Sequence, residues 1–101
     1  MVRAEIDLTD FPALERLFAH ERPSGVIHCA ARSRSPACQT DPAGARLQNV
    51  EVTRRLAELA ADLPMVFLST DLVFDGRRDG SKGGYREGDA VNPLSVYAET
   101  K

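Results

Sequence analysis

Pro64-Met65-Val66-Phe67-Leu68-Ser69-Thr70-Asp71 decides how the chain reads. A four-residue apolar run stands between a proline and a small polar cluster. That is the signature of a strand buried on both faces, the kind found in parallel sheets. Upstream, Ala43 to Leu63 predicts one long helix, with Val52, Leu56, Leu59 and Leu63 on one stripe and Pro64 ending it. Further upstream, Val26-Ile27-His28-Cys29-Ala30-Ala31 is a second short run of apolar and small residues after Gly25. Before it, Phe11, Leu14, Leu17 and Phe18 recur at helical spacing. Thr9 or Asp10 can cap this helix, Pro12 suits its first turn, and Glu21-Arg22-Pro23 stops it. Val2, Ala4 and Ile6 alternate with Arg3 and Glu5, as in a short strand or the tail of one.

Strand, helix, strand, helix, strand is the βαβ pattern of a doubly wound parallel sheet, an α/β fold of three layers (α/β/α). Ligands of such sheets sit beyond the carboxyl ends of the strands. Asp7-Leu8, Ala30-Ala31 and Ser69-Thr70-Asp71 all fall at that edge. Arg32 to Pro42 is polar, carries two prolines and reads as a loop. So does Gly76 to Gly88, whose cations read as a solvated face. Asn92-Pro93 sets a turn and Ser95 can cap a last helix.

That last segment places Tyr97 and Lys101 four residues apart, on one face of a helix and about 5–6 Å apart at Cβ. An ammonium so close attracts a phenolate by roughly 3 kcal/mol at an effective dielectric near 20, or about two pKa units. Such a tyrosine suits general acid–base chemistry near neutral pH. The same spacing also describes an ordinary exposed turn. Asn49 shares the apolar stripe of the long helix, and a buried amide must be hydrogen-bonded. A structural bridge to a neighbouring strand and a role near the chemistry are both open to it.

The 101 residues make one small domain at most. A net charge of −2 gives no basic footprint for nucleic acid. No apolar run approaches a membrane span, and no signal peptide is visible, so the expected compartment is cytoplasmic. Cys29 and Cys38 make no disulfide framework, and no histidine joins them at zinc spacing, so no metal site is expected.

Taken in order, these stretches resemble the extended short-chain dehydrogenase/reductase family, in its dTDP-4-dehydrorhamnose reductase-like branch. The matching residues are Asp7 to Asp10, Val26 to Ala31, Asn49-Val50, Leu68 to Gly76, Tyr85, Glu87, Pro93 and Tyr97 to Lys101. Ser69-Thr70-Asp71-Leu72-Val73-Phe74-Asp75-Gly76 is the most specific of them. The resemblance implies an NAD(P)-dependent oxidoreductase that binds NADP(H) or NAD(H). It implies reduction of the 4-keto group of a dTDP-deoxysugar, with a nucleotide-sugar substrate as partner and a homodimer left open. Tyr97 would protonate the carbonyl oxygen as hydride arrives, and would stand with Lys101 among the cofactor-binding residues. Lys101 would lower the pKa of Tyr97 and bind the nicotinamide ribose, and Thr70 would hold the carbonyl oxygen. Asp7 and Leu8 would line the adenine pocket, and Cys29, Ala30 and Ala31 would flank the cofactor. Asn49 would support a water path to the lysine.

No Gly-rich phosphate loop occurs among the 101 residues, nor does the family's substrate half. The chain is therefore expected to be a central fragment of one NAD(P)-binding Rossmann-like domain, residues 1–101, lacking the first βαβ unit. In the family's strand order the Val26 and Met65 strands would pair with each other, while the Val2 strand would lack its neighbour. Two other readings share the resemblance. One is a sugar-nucleotide epimerase or dehydratase of the same fold. The other is a noncatalytic subunit resembling the regulatory subunit of methionine adenosyltransferase.

Overall fold

A computed structural model describes residues 6–77 and 84–101. The predicted Val2–Ile6 strand and the middle of the Gly76–Gly88 loop lie outside these, except that Ile6 and Gly76–Arg77 are described and Ile6 is not in a strand. Helix α1 spans Phe11–Glu21. Its cap is Asp10, whose carboxylate accepts from the Ala13 N–H, with Pro12 in the first turn as predicted. It ends on Arg22, in the left-handed region at φ 46°. Strand β1 is Val26–His28 and β2 is Met65–Phe67. They pair in parallel, with Val26 opposite Met65 and His28 opposite Phe67. The predicted pairing is thus present, with each strand shorter than its apolar run.

The helices meet this sheet on one face. Leu14 of α1 packs with Val52 and Leu56, and Met65, Phe11 and Phe18 close around them. The other face is open: Ile27 is 74% and Val66 53% exposed, although both runs read as buried on two sides. The fold class is as expected, α/β with a small parallel sheet. The described residues supply one of the two helical layers.

Two expectations change. Residues 35–40, read as loop, form helix α2 (Ser35–Thr40), with Pro36 in its first turn where a missing N–H costs nothing. The long helix expected over 43–63 is α3 (Pro42–Arg46), a π-helical turn (Leu47–Glu51) and α4 (Val52–Leu59). It stops at Leu59, and Ala60 to Leu63 form a turn ahead of Pro64.

The π turn holds Asn49, which is 2% exposed. Its Oδ1 accepts from the Arg32 N–H (2.8 Å), and its Nδ2 donates to the Arg32 carbonyl (3.1 Å) and to Thr100 Oγ1 (2.9 Å). One amide therefore fixes the segment after β1 and the last helix, α5 (Val96–Thr100). The side chain does bridge, but to the segment after β1 and to α5 rather than to a strand. The second knot is Asp75, beyond the 3₁₀ turn Asp71–Val73. Its carboxylate accepts from the Arg77 N–H (2.9 Å), Asn92 Nδ2 (2.9 Å) and the Tyr85 hydroxyl (2.8 Å). Tyr85 also stacks on Phe74 at 4.5 Å.

Asn49→Leu keeps the volume but leaves the Arg32 N–H without its acceptor and the Arg32 carbonyl with only the Cys38 thiol. It is expected to destabilise the intact protein by about 1–3 kcal/mol in chemical denaturation, with faster amide exchange in α5. The donors on Asp75, the Arg77 N–H first and then Asn92 and Tyr85, hold its carboxyl down at about 2, below the ordinary 3.8. A lowered folded value contributes stability above the ordinary one and loses it as pH falls through the folded one. The Tyr85–Phe74 stack should therefore persist to about pH 3 and release near pH 2, read from the Tyr85 ring resonances. Asp75→Asn should loosen the stack at neutral pH.

Candidate functional site at the carboxyl ends of the strands

The groups singled out in the sequence follow the ends of β1 and β2, precede α1 or belong to α5. After β1 the chain runs through Cys29, Ala30 and Ala31, while Asp7 and Leu8 precede α1. Asp7, Leu8, Ala30 and Ala31 line one cavity of about 250 Å³, with Ile6, Thr9, Gln48 and Val52. Asp7 Oδ1 accepts both the Thr9 N–H (2.9 Å) and the Thr9 hydroxyl (2.7 Å), and these bonds hold its carboxyl below the ordinary value. Both bonds fall on Oδ1, so Oδ2 keeps its lone pairs for another donor. Cys29 is exposed and lines the neighbouring groove along β1 rather than this cavity.

After β2 the chain reaches Ser69 and Thr70. Thr70 caps the 3₁₀ turn, its Oγ1 accepting from the Leu72 N–H at 3.2 Å. The cap uses a lone pair and leaves the hydroxyl proton available to donate. Ser69 Oγ donates to the Lys101 carbonyl at 3.4 Å and so ties the end of β2 to the end of α5.

Five residues are too few for a free-standing helix, and α5 is held at several points. Ser95 caps it through the Ala98 N–H (3.1 Å), as predicted. Gln39 of α2 accepts from the Val96 N–H (3.2 Å), and Asn49 holds Thr100, whose hydroxyl donates to the Tyr97 carbonyl (2.9 Å). Ala98 and Ala45 are buried, and their small size lets α5 lie close to α3. The result presents Tyr97 and, one turn on, Lys101. Among the described residues the Tyr97 hydroxyl has no hydrogen-bond partner and the Lys101 ammonium no carboxylate. The ammonium sits 4.4 Å from the centre of the Phe67 ring, a cation–π contact, and desolvation by burial lowers its pKa.

Thr70 thus follows β2 and Lys101 rests on Phe67 of that strand, while Cys29, Ala30 and Ala31 follow β1, the two alanines sharing a cavity with Asp7 and Leu8. The two strands are adjacent and parallel, about 4.8 Å apart. Sequence reasoning missed Gln39, because α2 was read as loop, and gave His28 and Thr53 no part in the site. A third cavity, of about 670 Å³, lies beside the Tyr97 helix and is lined by Asp71, Leu72, Phe74, Leu94 and Ser95 among others. Among the described residues no three His, Cys, Asp or Glu side chains gather as a metal site, and no helix is long and apolar enough to cross a membrane.

Comparison with known proteins matches residues 1–101 to the family model described as RmlD substrate binding domain. Methionine adenosyltransferase 2 subunit beta of Xenopus tropicalis is 36% identical over 98 residues, covering 95% of this chain and 28% of that protein. A hypothetical dTDP-4-dehydrorhamnose reductase from Sulfolobus tokodaii superposes with a TM-score of 0.87 at 35% identity, covering 96% of this chain and 35% of that one. The dTDP-4-dehydrorhamnose reductase of Bacillus anthracis, solved in complex with NADP, gives 0.85 at 27% identity, with 94% and 34% covered. The chain spans about a third of the length of these relatives. With a parallel βαβ frame, the strand-end clusters and a family match over every residue, the chain belongs to the RmlD substrate binding domain family, among the extended short-chain reductases it resembles.

Proposed function

We propose that the protein is an NAD(P)-dependent oxidoreductase that reduces the 4-keto group of a dTDP-linked deoxysugar. The observation that carries this reading is the pair of polar ends on α5. The Tyr97 hydroxyl and the Lys101 ammonium are both free of hydrogen-bond or ion-pair partners among the described residues, at the carboxyl edge of the sheet.

The residues fit the two ends of a nicotinamide dinucleotide. At one end, Ala30 and Ala31 line a cavity that larger side chains would fill, and Asp7 Oδ2 is an acceptor suited to an exocyclic amine. At the other, Lys101 offers three N–H donors to ribose hydroxyls. When bound, the cofactor supplies the hydride. Tyr97 delivers the proton to the carbonyl oxygen, and Thr70 donates its free hydroxyl proton to the same oxygen as charge develops there. Lys101 keeps a positive charge one helical turn from the Tyr97 hydroxyl and favours the phenolate that the transfer leaves behind.

A second reading has a specific observation in its favour, the 36% identity with methionine adenosyltransferase 2 subunit beta. On that reading the chain serves a binding subunit and Tyr97 transfers no proton.

One variant separates the two. In the intact protein, Tyr97→Phe should lower turnover of NADPH with a dTDP-4-keto-6-deoxysugar by about 10²–10⁴-fold and leave NADPH affinity unchanged. Thr70→Val should lower kcat by about 10²-fold. Turnover that survives Tyr97→Phe would remove the reductase reading, and unchanged association with a partner enzyme would favour the subunit.

A further inference from the structure

Only two polar or charged side chains are buried among the described residues, Asn49 and His28. Asn49 is accounted for by its three bonds. His28, the last residue of β1, is 3% exposed and lies among three elements. From α4, Thr53 Oγ1 stands 2.9 Å from its Nε2. From β2, the Phe67 ring lies 5.7 Å away, tilted by 30°. From the end of α5, the Lys101 ammonium rests on that same Phe67 ring. Lys101 is the one charged group acting on the imidazole, and no carboxylate offsets it.

The hydrogen bonds decide where the proton is. Thr53 Oγ1 stands 2.7 Å from the Asn49 carbonyl, which can only accept. A hydroxyl has one proton to give, so Thr53 gives it to that carbonyl and can only accept from His28. The imidazole is then the Nε2–H tautomer. Burial and the neighbouring ammonium both push it toward the neutral form. The chain of donors runs from His28 through Thr53 into the π turn, and that turn carries the amide that holds Thr100, the residue before Lys101. The same imidazole also packs against the ring beneath the ammonium.

We propose that His28 is a positioning residue for Lys101: a neutral N–H donor that fixes the π turn and the Phe67 ring without adding a charge beside the ammonium. This rests on the role given to Lys101 above. A leucine would fill the space and leave Thr53 without its donor. A lysine or arginine would supply a donor and a second positive charge. A neutral donor of similar reach meets both needs.

The first test needs no turnover. Nitrogen-15 NMR of the cofactor-free intact protein, with exposed His20 as internal reference, should show His28 as the neutral Nε2–H tautomer at pH 7. An Nδ1–H tautomer or a charged ring at that pH overturns the proposal. The second test is the pH profile of kcat/KM with NADPH and a dTDP-4-keto-6-deoxysugar. His28→Leu loosens the ammonium, so the alkaline limb should move up by about one unit with about a tenfold loss of kcat. NADPH affinity should stay within about threefold, a change below 0.7 kcal/mol. His28→Gln, a neutral donor, should restore both the limb and most of kcat. Thr53→Val should reproduce the leucine effect, and covers the case in which the leucine variant does not fold. A lowered melting temperature with an unmoved alkaline limb, or no rescue by glutamine, means a structural role only and overturns the proposal. Loss of the reductase reading would show separately, as turnover that survives Tyr97→Phe, and the tautomer measurement is independent of it.

Discussion

The site depends on one buried amide. Asn49 spends both N–H donors and its oxygen on the Arg32 backbone and on Thr100, and so joins the exit of β1, the π turn and α5. Without that junction α5 is five residues with few internal hydrogen bonds, well below the length at which a helix persists in water. The π turn holds Asn49 on the buried side with Val52 and Leu56, and the Thr53 hydroxyl donates to the Asn49 carbonyl there. Arg32 completes the junction from outside. Its guanidinium pairs with Asp41 at 2.8 Å, and Asp41 caps α3 through the Gly44 N–H. A Cβ at Gly44 would meet the Asp41 carboxylate and the Arg32 guanidinium, so a side chain there would displace this ion pair.

This scaffold sets the electrostatics. Lys101 has an aromatic face instead of a carboxylate beneath it, so its charge is not neutralised and remains able to act on a group one turn away. Partial burial makes that charge more effective, since screening falls with solvent access. It also exacts a cost, seen in the lowered pKa of the ammonium. A second cation nearby would add to that cost, and the one ionisable neighbour, His28, is held neutral by its surroundings.

Much of this was legible in the sequence because local chemistry and tertiary need agree there. Asp10 and Ser95 cap helices as their side chains suggest, and Pro12 opens α1. The two apolar runs pair in parallel and end at the polar clusters where a ligand would sit. The rest depends on contacts that spacing does not encode. Ser35-Pro36 looks like a loop signal, yet a proline in a first turn is compatible with helix. What makes α2 is burial of Cys38, its thiol donating to the Arg32 carbonyl, and the grip of Gln39 on Val96. The π turn is invisible to periodicity because Asn49, Val52 and Leu56 also fit an unbroken α-helix. The runs at Val26 and Met65 record burial on two faces, whereas the described residues cover one. For Asn49 the sequence placed the amide on the right stripe, and only the position of Arg32 could show what it bonds.

The two kinds of relative, a reductase and a subunit, share this scaffold, so the scaffold cannot distinguish them. Asn49, Gln39, Ser69 and Ser95 have structural work in either case, since each closes a hydrogen bond that α5 needs. The distinction has to come from atoms the fold does not use. The Tyr97 hydroxyl makes no bond that supports α5, and a phenylalanine would pack its ring equally well. The proton of Thr70 is likewise surplus to its cap, which needs only the oxygen. Lys101 could be replaced at the end of α5 by a residue without the cost of desolvating an ammonium. Thr70, Tyr97 and Lys101 each keep a polar end that the hydrogen bonds among the described residues leave unused, and on the reading proposed above those ends serve a reacting carbonyl and its cofactor. That surplus is the physical argument for catalysis.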